Sequence, residues 1–317
     1  MPSMSLTRSR IKPALRSKRA PMQLLRRLFT VCAAVSAMGA AELAIDHVTV
    51  AGKNLEMMRA ALKSQGIPTE FGGQHNNHAT QMALASFPDG SYLELIAIQP
   101  HADLAAVDAH PWSKFLRGNA GPCAFAVRAA DIGKEVARLQ AAGFTLSETE
   151  RAGRTRPDGT KVEWETADIH YGPRGSFYPF LIRDITPREN RALPSGKPTT
   201  EKYRGVSKVI IGVQDLDAAI ARYRRAYDLG EPRRQPDPDW KATLAYFEGT
   251  PIVLAQGLSA DSWLGRRVSE FGEAPCAFVL LAKGSVSAEN VSRWFGGFIS
   301  WSNSEKLGWR LGVEPSK

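Results

Sequence analysis

The sequence predicts an α+β fold assembled from four modules, each a strand, a helix and two or three further strands. Two tryptophan-led amphipathic segments, PWSKFLRGNAG (Pro111 to Gly121) and SWLGRRVSEFGEA (Ser262 to Ala274), each lead into a strand-like run, GPCAFAV and APCAFVL. AIDHVTVAGKNLEMMRAAL (Ala44 to Leu62) parallels VSKVIIGVQDLDAAIARYRRAY (Val206 to Tyr227), a strand and a polar turn followed by apolar residues at helical spacing. MALASFPDGSYLELIA and ATLAYFEGTPIVLAQ both read as two strands joined by a turn, at Asp89-Gly90 and Glu248-Gly249. The chain therefore repeats itself once.

Each half divides again. AFAVRAADIGKEVARLQAAGFTL is a strand, a turn and a helix ended by glycine, and it is followed by SETERAGRTRPDGTKVEWETADIHY and the strand SFYPFLIRD. The modules fall at about 44–99, 120–186, 205–258 and 275–317, the last being the shortest. KPTTEKYRG (Lys197 to Gly205) is a polar linker. The expected organisation is a leader over 1–41, a first two-module domain over 42–192, a linker over 193–204 and a second domain over 205–317. One such module cannot bury its sheet alone, so the modules must stack or pair.

Charge excludes one class of partner. The net charge of the 317 residues is +9, but residues 1–41 hold eight Lys and Arg and no acid, which leaves 33 basic against 32 acidic residues in the body. No basic domain remains to grip phosphates, so no nucleic-acid partner is expected. From Met22 the leader reads MQLLRRLFTVCAAVSAMGAAELA: a basic start, an apolar run from Leu28 to Ala41 and small residues suited to cleavage. Arg26-Arg27-Leu28-Phe29 resembles a twin-arginine export signal, although Thr30 and Val31 depart from it. Export to a periplasmic or secreted location is expected, with no stable membrane span after cleavage because the run is too short. The alternative is a frayed helix retained on a cytoplasmic protein. Cys32 lies in the leader, while Cys123 and Cys276 sit in apolar runs and read as buried structural thiols.

The stretch DGSYLELIA (Asp89 to Ala97) poses the chemical question. As a strand it places Leu93, Leu95 and Ala97 on one face and Tyr92, Glu94 and Ile96 on the other, so a carboxylate stands among apolar side chains. Such a group stays ionised only where a cation, a metal or a donor meets it.

IDHVTV (Ile45 to Val50), FGGQHNNHATQM (Phe71 to Met82), SYLELIA, RTRPDGTKVEW (Arg154 to Trp164) and YPFLIRDITPRENR (Tyr178 to Arg191) together resemble the vicinal oxygen chelate superfamily and its glyoxalase-like group. The resemblance covers essentially 44–317. It implies paired modules forming two glyoxalase/dioxygenase-like domains around a cleft, typically with a divalent metal at its floor. It places His47 and Glu94 in that cleft as metal ligands and catalytic groups. In the partner module the corresponding positions are Ala124 and Phe180, neither able to bind a hard metal. In the second half they are Lys208 and Val253, so that half is expected to be structural.

His75, after two glycines that allow close backbone approach, is a candidate third ligand, and His170 is the candidate from the partner side. Arg154, Arg156 and Arg174 suit a substrate carboxylate or enolate oxygen. Asn76, with Asn77, can donate to a carbonyl, and Trp164 can line an apolar pocket. The expected function is a metal-dependent enzyme acting on a small carbonyl or hydroxy acid through enediolate chemistry, of lyase, isomerase or dioxygenase-like type. The other reading is a protein of the same fold that sequesters a small molecule without turnover. A homodimer is one open assembly.

Overall fold

The computed structural model describes residues 43–286, 290–302, 307 and 309–316. The leader, and with it the expected export signal, lies outside the described residues. Among those residues the first module runs β1 (Ile45–Ala51), α1 (Leu55–Ser64), β2 (Glu70–Gln74), β3 (Thr80–Ser86) and β4 (Tyr92–Ile98). Two short helices follow, α2 (Leu104–Ala109) and α3 (Ser113–Gly118). The second module is β5 (Gly121–Arg128), α4 (Ile132–Ala141), β6 (Glu150–Thr155), β7 (Lys161–Ala167) and β8 (Phe180–Asp184), closed by α5 (Arg188–Ala192). The third is β9 (Tyr203–Val213), α6 (Leu216–Tyr227), β10 (Arg233–Asp237), β11 (Ala242–Tyr246) and β12 (Ile252–Gly257), then α7 (Trp263–Phe271). The fourth contributes β13 (Ala274–Ala282), β14 (Val291–Trp294), β15 (Gly297–Trp301) and β16 (Arg310–Pro315).

The strands form two eight-stranded sheets of one topology, β2-β3-β4-β1-β5-β8-β7-β6 and β10-β11-β12-β9-β13-β16-β15-β14. In each, the first strands of two modules meet antiparallel at the centre, β1 on β5 and β9 on β13. This is the duplicated α+β architecture that the repeats predict. The strand-to-helix turn is built alike in three modules. Asn54, Asp131 and Asp215 each accept a hydrogen bond from the backbone N–H three residues on, capping α1, α4 and α6. Such a cap stabilises a helix by about 0.5–2 kcal/mol.

Alternation sorts the side chains by face. Val48, Val50, Leu93, Leu95, Val209, Ile211 and Leu254 enter one continuous core with helix residues Leu62, Leu139 and Ile220. Full burial of each such aliphatic side chain is worth about 1.5–3 kcal/mol. The opposite faces of the two sheets differ. In the second sheet the equivalent space is packed with Trp240, Trp294 and Trp301, whose rings stand 5.0–5.2 Å apart. Arg310 lies over the Trp240 and Trp263 rings, and Lys208 pairs with Glu314. In the first sheet the same face opens as a cavity.

Two local expectations need correction. SFYPFLIRD is a strand only from Phe180, because Pro179 has no N–H to give to the ladder. ADIHY does not continue β7 as a strand, and only Ile169 makes an isolated bridge, to Leu146.

Candidate active site

The cavity on the first sheet has a volume of about 480 Å³. Its floor is β1 and β4, where Glu94 lies across from Thr49 in parallel register and is 8% exposed. The Thr49 hydroxyl donates to Glu94 Oε2 over 3.1 Å. His47 Nε2 stands 3.7 Å from Oε2 and His75 Nε2 3.6 Å from Oε1 of the same carboxylate. The buried acid of SYLELIA thus sits between two imidazoles, one from β1 and one from the turn that follows β2.

A bulge sets the orientation of His47. The pairing of β1 with β5 slips between Ile45 and His47, which leaves Asp46 as the extra residue. Strict alternation would put Ile45 beside His47. The bulge instead sends Ile45 into the main core and lets Asp46 and His47 meet, with Nδ1 2.7 Å from Asp46 Oδ1. Burial pushes the Asp46 carboxyl up, but the field of Arg191, with hydrogen bonds from His47 and Arg191, outweighs it and holds the group well below the usual carboxylate range. An ionised carboxylate only accepts hydrogen bonds, so the Nδ1 of His47 carries a proton and Nε2 is the ring atom turned to Glu94. Tyr92 stacks on the same ring at 4.8 Å and accepts a hydrogen bond from Arg191.

His75 is held by a turn. Asn77 Oδ1 accepts from the backbone N–H groups of Ala79 and Thr80, and the Thr80 hydroxyl lies 2.8 Å from His75 Nδ1. Its Nε2 is again the atom on the cavity side. Burial lowers the His75 pKa, reinforced by Arg154 and opposed by Glu94. His110 lines the cavity from the loop after α2, and burial, with help from His75, pulls it down to about 4.

The far wall belongs to the second module. Arg154 and Ala152 of β6, Trp164 and Thr166 of β7, and Phe180 and Ile182 of β8 face the cavity, with Arg174 from the preceding loop. Arg154 donates to the carbonyls of Gly72 and Arg191. Arg174 lies over the Phe180 ring at 4.8 Å.

Of the residues singled out in the sequence, His47, Glu94, His75, Arg154, Arg174 and Trp164 meet at this cavity. Three do not. His170 is exposed, because Ile169 takes the inward position and turns its neighbour out. Asn76 is exposed at the tip of the turn, and Asn77 lines the cavity in its place. Arg156 is spent on the carbonyls of Asn190 and Pro194 and on Asp158, away from the cavity. Arg191, His110 and Thr166 line it without having been singled out. Arg191 lay within the quoted stretch YPFLIRDITPRENR, which the structure forms into β8 and the short helix α5.

The donor set suits a divalent ion in chemistry: two imidazole Nε2 atoms and one carboxylate, with one ring oriented by a second carboxylate as metal-bound histidines commonly are. Among the described residues no group of three or more His, Cys, Asp or Glu stands at metal-holding spacing.

The fold and cavity define a paired-module protein of the vicinal oxygen chelate type. The glyoxalase-like domain model matches residues 45–227, and the chain belongs to that family. Among solved structures, a hypothetical protein from Staphylococcus aureus is similar at 13% identity and a TM-score of 0.60, over 86% of this chain and 99% of that one. A mutant 4-hydroxymandelate synthase from Streptomyces coelicolor is similar at 10% identity and a TM-score of 0.51, over 86% of this chain and 92% of that one. A fusion of a xylose isomerase-like TIM barrel with 4-hydroxyphenylpyruvate dioxygenase is similar at 12% identity and a TM-score of 0.52, over 87% of this chain and 49% of that one. At these identities the likeness is one of fold. No curated protein matches the chain.

Proposed function

We propose that the first-sheet cavity is the active site of a metal-dependent enzyme acting on a small carbonyl or hydroxy-acid compound. The observation that carries this is the convergence of His47 Nε2 and His75 Nε2, at 3.7 and 3.6 Å, on the two oxygens of one buried carboxylate. His47, His75 and Glu94 would hold a divalent ion, which when bound supplies Lewis-acid polarisation of vicinal oxygens. Asp46 keeps the Nε2 of His47 aimed at the cavity, and the Thr49 hydroxyl fixes Glu94. In the alternative role, Glu94 would take and return a proton on the carbon beside the substrate carbonyl. Trp112, Trp164 and Phe180 exclude water from the opposite side. The export expected from the leader remains part of the proposal and rests on sequence alone.

The second reading is sequestration without turnover. It is favoured by the hydrogen bond Glu94 already accepts from Thr49 within the protein, with two imidazoles beside its oxygens. Metal content per chain separates the two. Stoichiometric divalent metal in the purified protein, lost in His47→Ala and Glu94→Ala, supports the enzyme. Ligand binding that persists in metal-free protein with no turnover of any small carbonyl or hydroxy acid supports sequestration.

A further inference from the structure

One imidazole on the cavity wall is held at one nitrogen and unengaged at the other. His110 ends α2, and the proline after it disfavours helical backbone, so the residue is extended at φ −65° and ψ 133°. Pro111 has no N–H to give. The next backbone donor, the N–H of Trp112, turns back onto the ring of His110 and reaches Nδ1 at 3.1 Å. The ring also tilts against the Trp112 indole, with centroids 5.4 Å apart. Trp112 is in turn tied to the second module, its Nε1 donating to the Arg174 carbonyl over 2.8 Å. The loop thus fixes where the imidazole stands.

The same bond fixes which nitrogen carries the proton. A ring nitrogen that accepts from a backbone N–H is unprotonated, so the ring is neutral and its proton sits on Nε2. Among the described residues nothing hydrogen-bonds to that Nε2, while the ring borders the cavity and lies in the fields of His75, Glu94 and Arg174. Neighbouring donors on the wall are engaged within the protein, Arg154 with the carbonyls of Gly72 and Arg191 and the Asn77 amide with Thr80. His47 is arranged the opposite way, with its Nδ1 on Asp46 and a bare Nε2 toward Glu94. The cavity therefore holds one imidazole oriented to accept and another oriented to donate.

We infer that His110 is a substrate-binding residue whose Nε2–H donates to the carbonyl oxygen of a small carbonyl compound. This deepens the proposed function and rests on its reading of the cavity as the substrate site. A carbonyl oxygen only accepts, as this Nε2–H only donates, so the two match without a hydroxyl proton left over. An uncharged donor also asks for no negative charge on the oxygen it meets, unlike the three arginines on the same wall.

The test uses the full chain, treated with EDTA, and acetophenone against ethylbenzene, which has the same body without the oxygen. Nitrogen–proton correlation NMR of the imidazoles at neutral pH is expected to show His110 protonated on Nε2 alone, with that resonance shifted by saturating acetophenone and not by ethylbenzene. Two variants then separate ligand contact from loop support. His110→Asn keeps an acceptor near the place of Nδ1 for the Trp112 N–H but cannot reach the ligand, and it should lower the preference for acetophenone over ethylbenzene about 2- to 10-fold, the worth of one neutral hydrogen bond. His110→Gln carries an N–H about as far out as Nε2 and should retain most of the preference. A ring that only held the loop would give the reverse order, Asn harmless and Gln harmful, and that result overturns the inference. A proton on Nδ1, or an Nε2 resonance unmoved by acetophenone, also overturns it. The measurements need no metal, so a shifted Nε2 resonance upholds the role of His110 even if the protein proves to bind none, and an unmoved one in protein purified with stoichiometric metal overturns that role alone.

Discussion

Asp46 and His47, neighbours in a strand, hold each other through Nδ1 and Oδ1 at 2.7 Å because a bulge brings both side chains to one side. Asp46 is also gripped by Arg191 at 2.9 Å and by Arg188, so the orientation of one imidazole depends on a helix more than a hundred residues away in sequence.

Asp46→Asn is expected to loosen the site in two ways. It leaves the Arg191 guanidinium short of its acid, and breaking a buried ion pair from one side costs about 3–5 kcal/mol. It also frees the His47 ring, and loss of such an orienting partner weakens metal binding about 10- to 100-fold. Urea denaturation and competition with a metal-binding dye measure the two effects separately.

The pH dependence should carry the mark of His110. Its pKa is pulled down to about 4, first by burial and then by His75, against about 6.5 for an unfolded histidine. Between those values the unfolded chain binds the extra proton, so stability rises with pH across that window and falls as pH drops through it. The lowered pKa of His75 acts with the same sign. Proton NMR of the imidazole C–H resonances, together with urea midpoints at pH 5 and pH 7, checks this. A His110 midpoint near 6.5 would contradict the buried environment.

The second sheet should contribute stability and no chemistry. Trp240 is 1% exposed at the centre of the tryptophan cluster, and Trp240→Ala is expected to cost about 3–5 kcal/mol. Lys208→Ala should leave the metal content unaltered, because Lys208 answers to Glu314 and stands outside the first-sheet cavity. Chemical denaturation and elemental analysis of the two variants decide it.

Cys123 and Cys276 are fully buried and free, and burial raises both thiols, Cys276 to about 12. Neither should react with iodoacetamide in the folded protein, and both should label after denaturation. Rapid native labelling would mean that the strands carrying them open readily.

The modular order was legible because it depends on local patterns: alternation in the strands, polar turns before helices, and Gly turns between strands; the meeting of His47 with Glu94 was expected only from the family resemblance. What escaped depends on breaks in those patterns. The bulge at Asp46 cannot be read from IDHVTV, since one acid among strand-forming residues does not by itself mark a slip of register. The choice of Asn77 over Asn76 follows from which amide oxygen closes the turn onto Ala79 and Thr80. His170 depended on a strand that ends early.

The most direct measurement is anomalous X-ray scattering from crystals of the full chain grown with manganese and recorded at a wavelength that distinguishes it. The account predicts a single strong peak within about 2.3 Å of His47 Nε2, His75 Nε2 and a Glu94 oxygen, the usual span of such bonds. No peak there, or one held by other residues while these three keep their present separations, would contradict it.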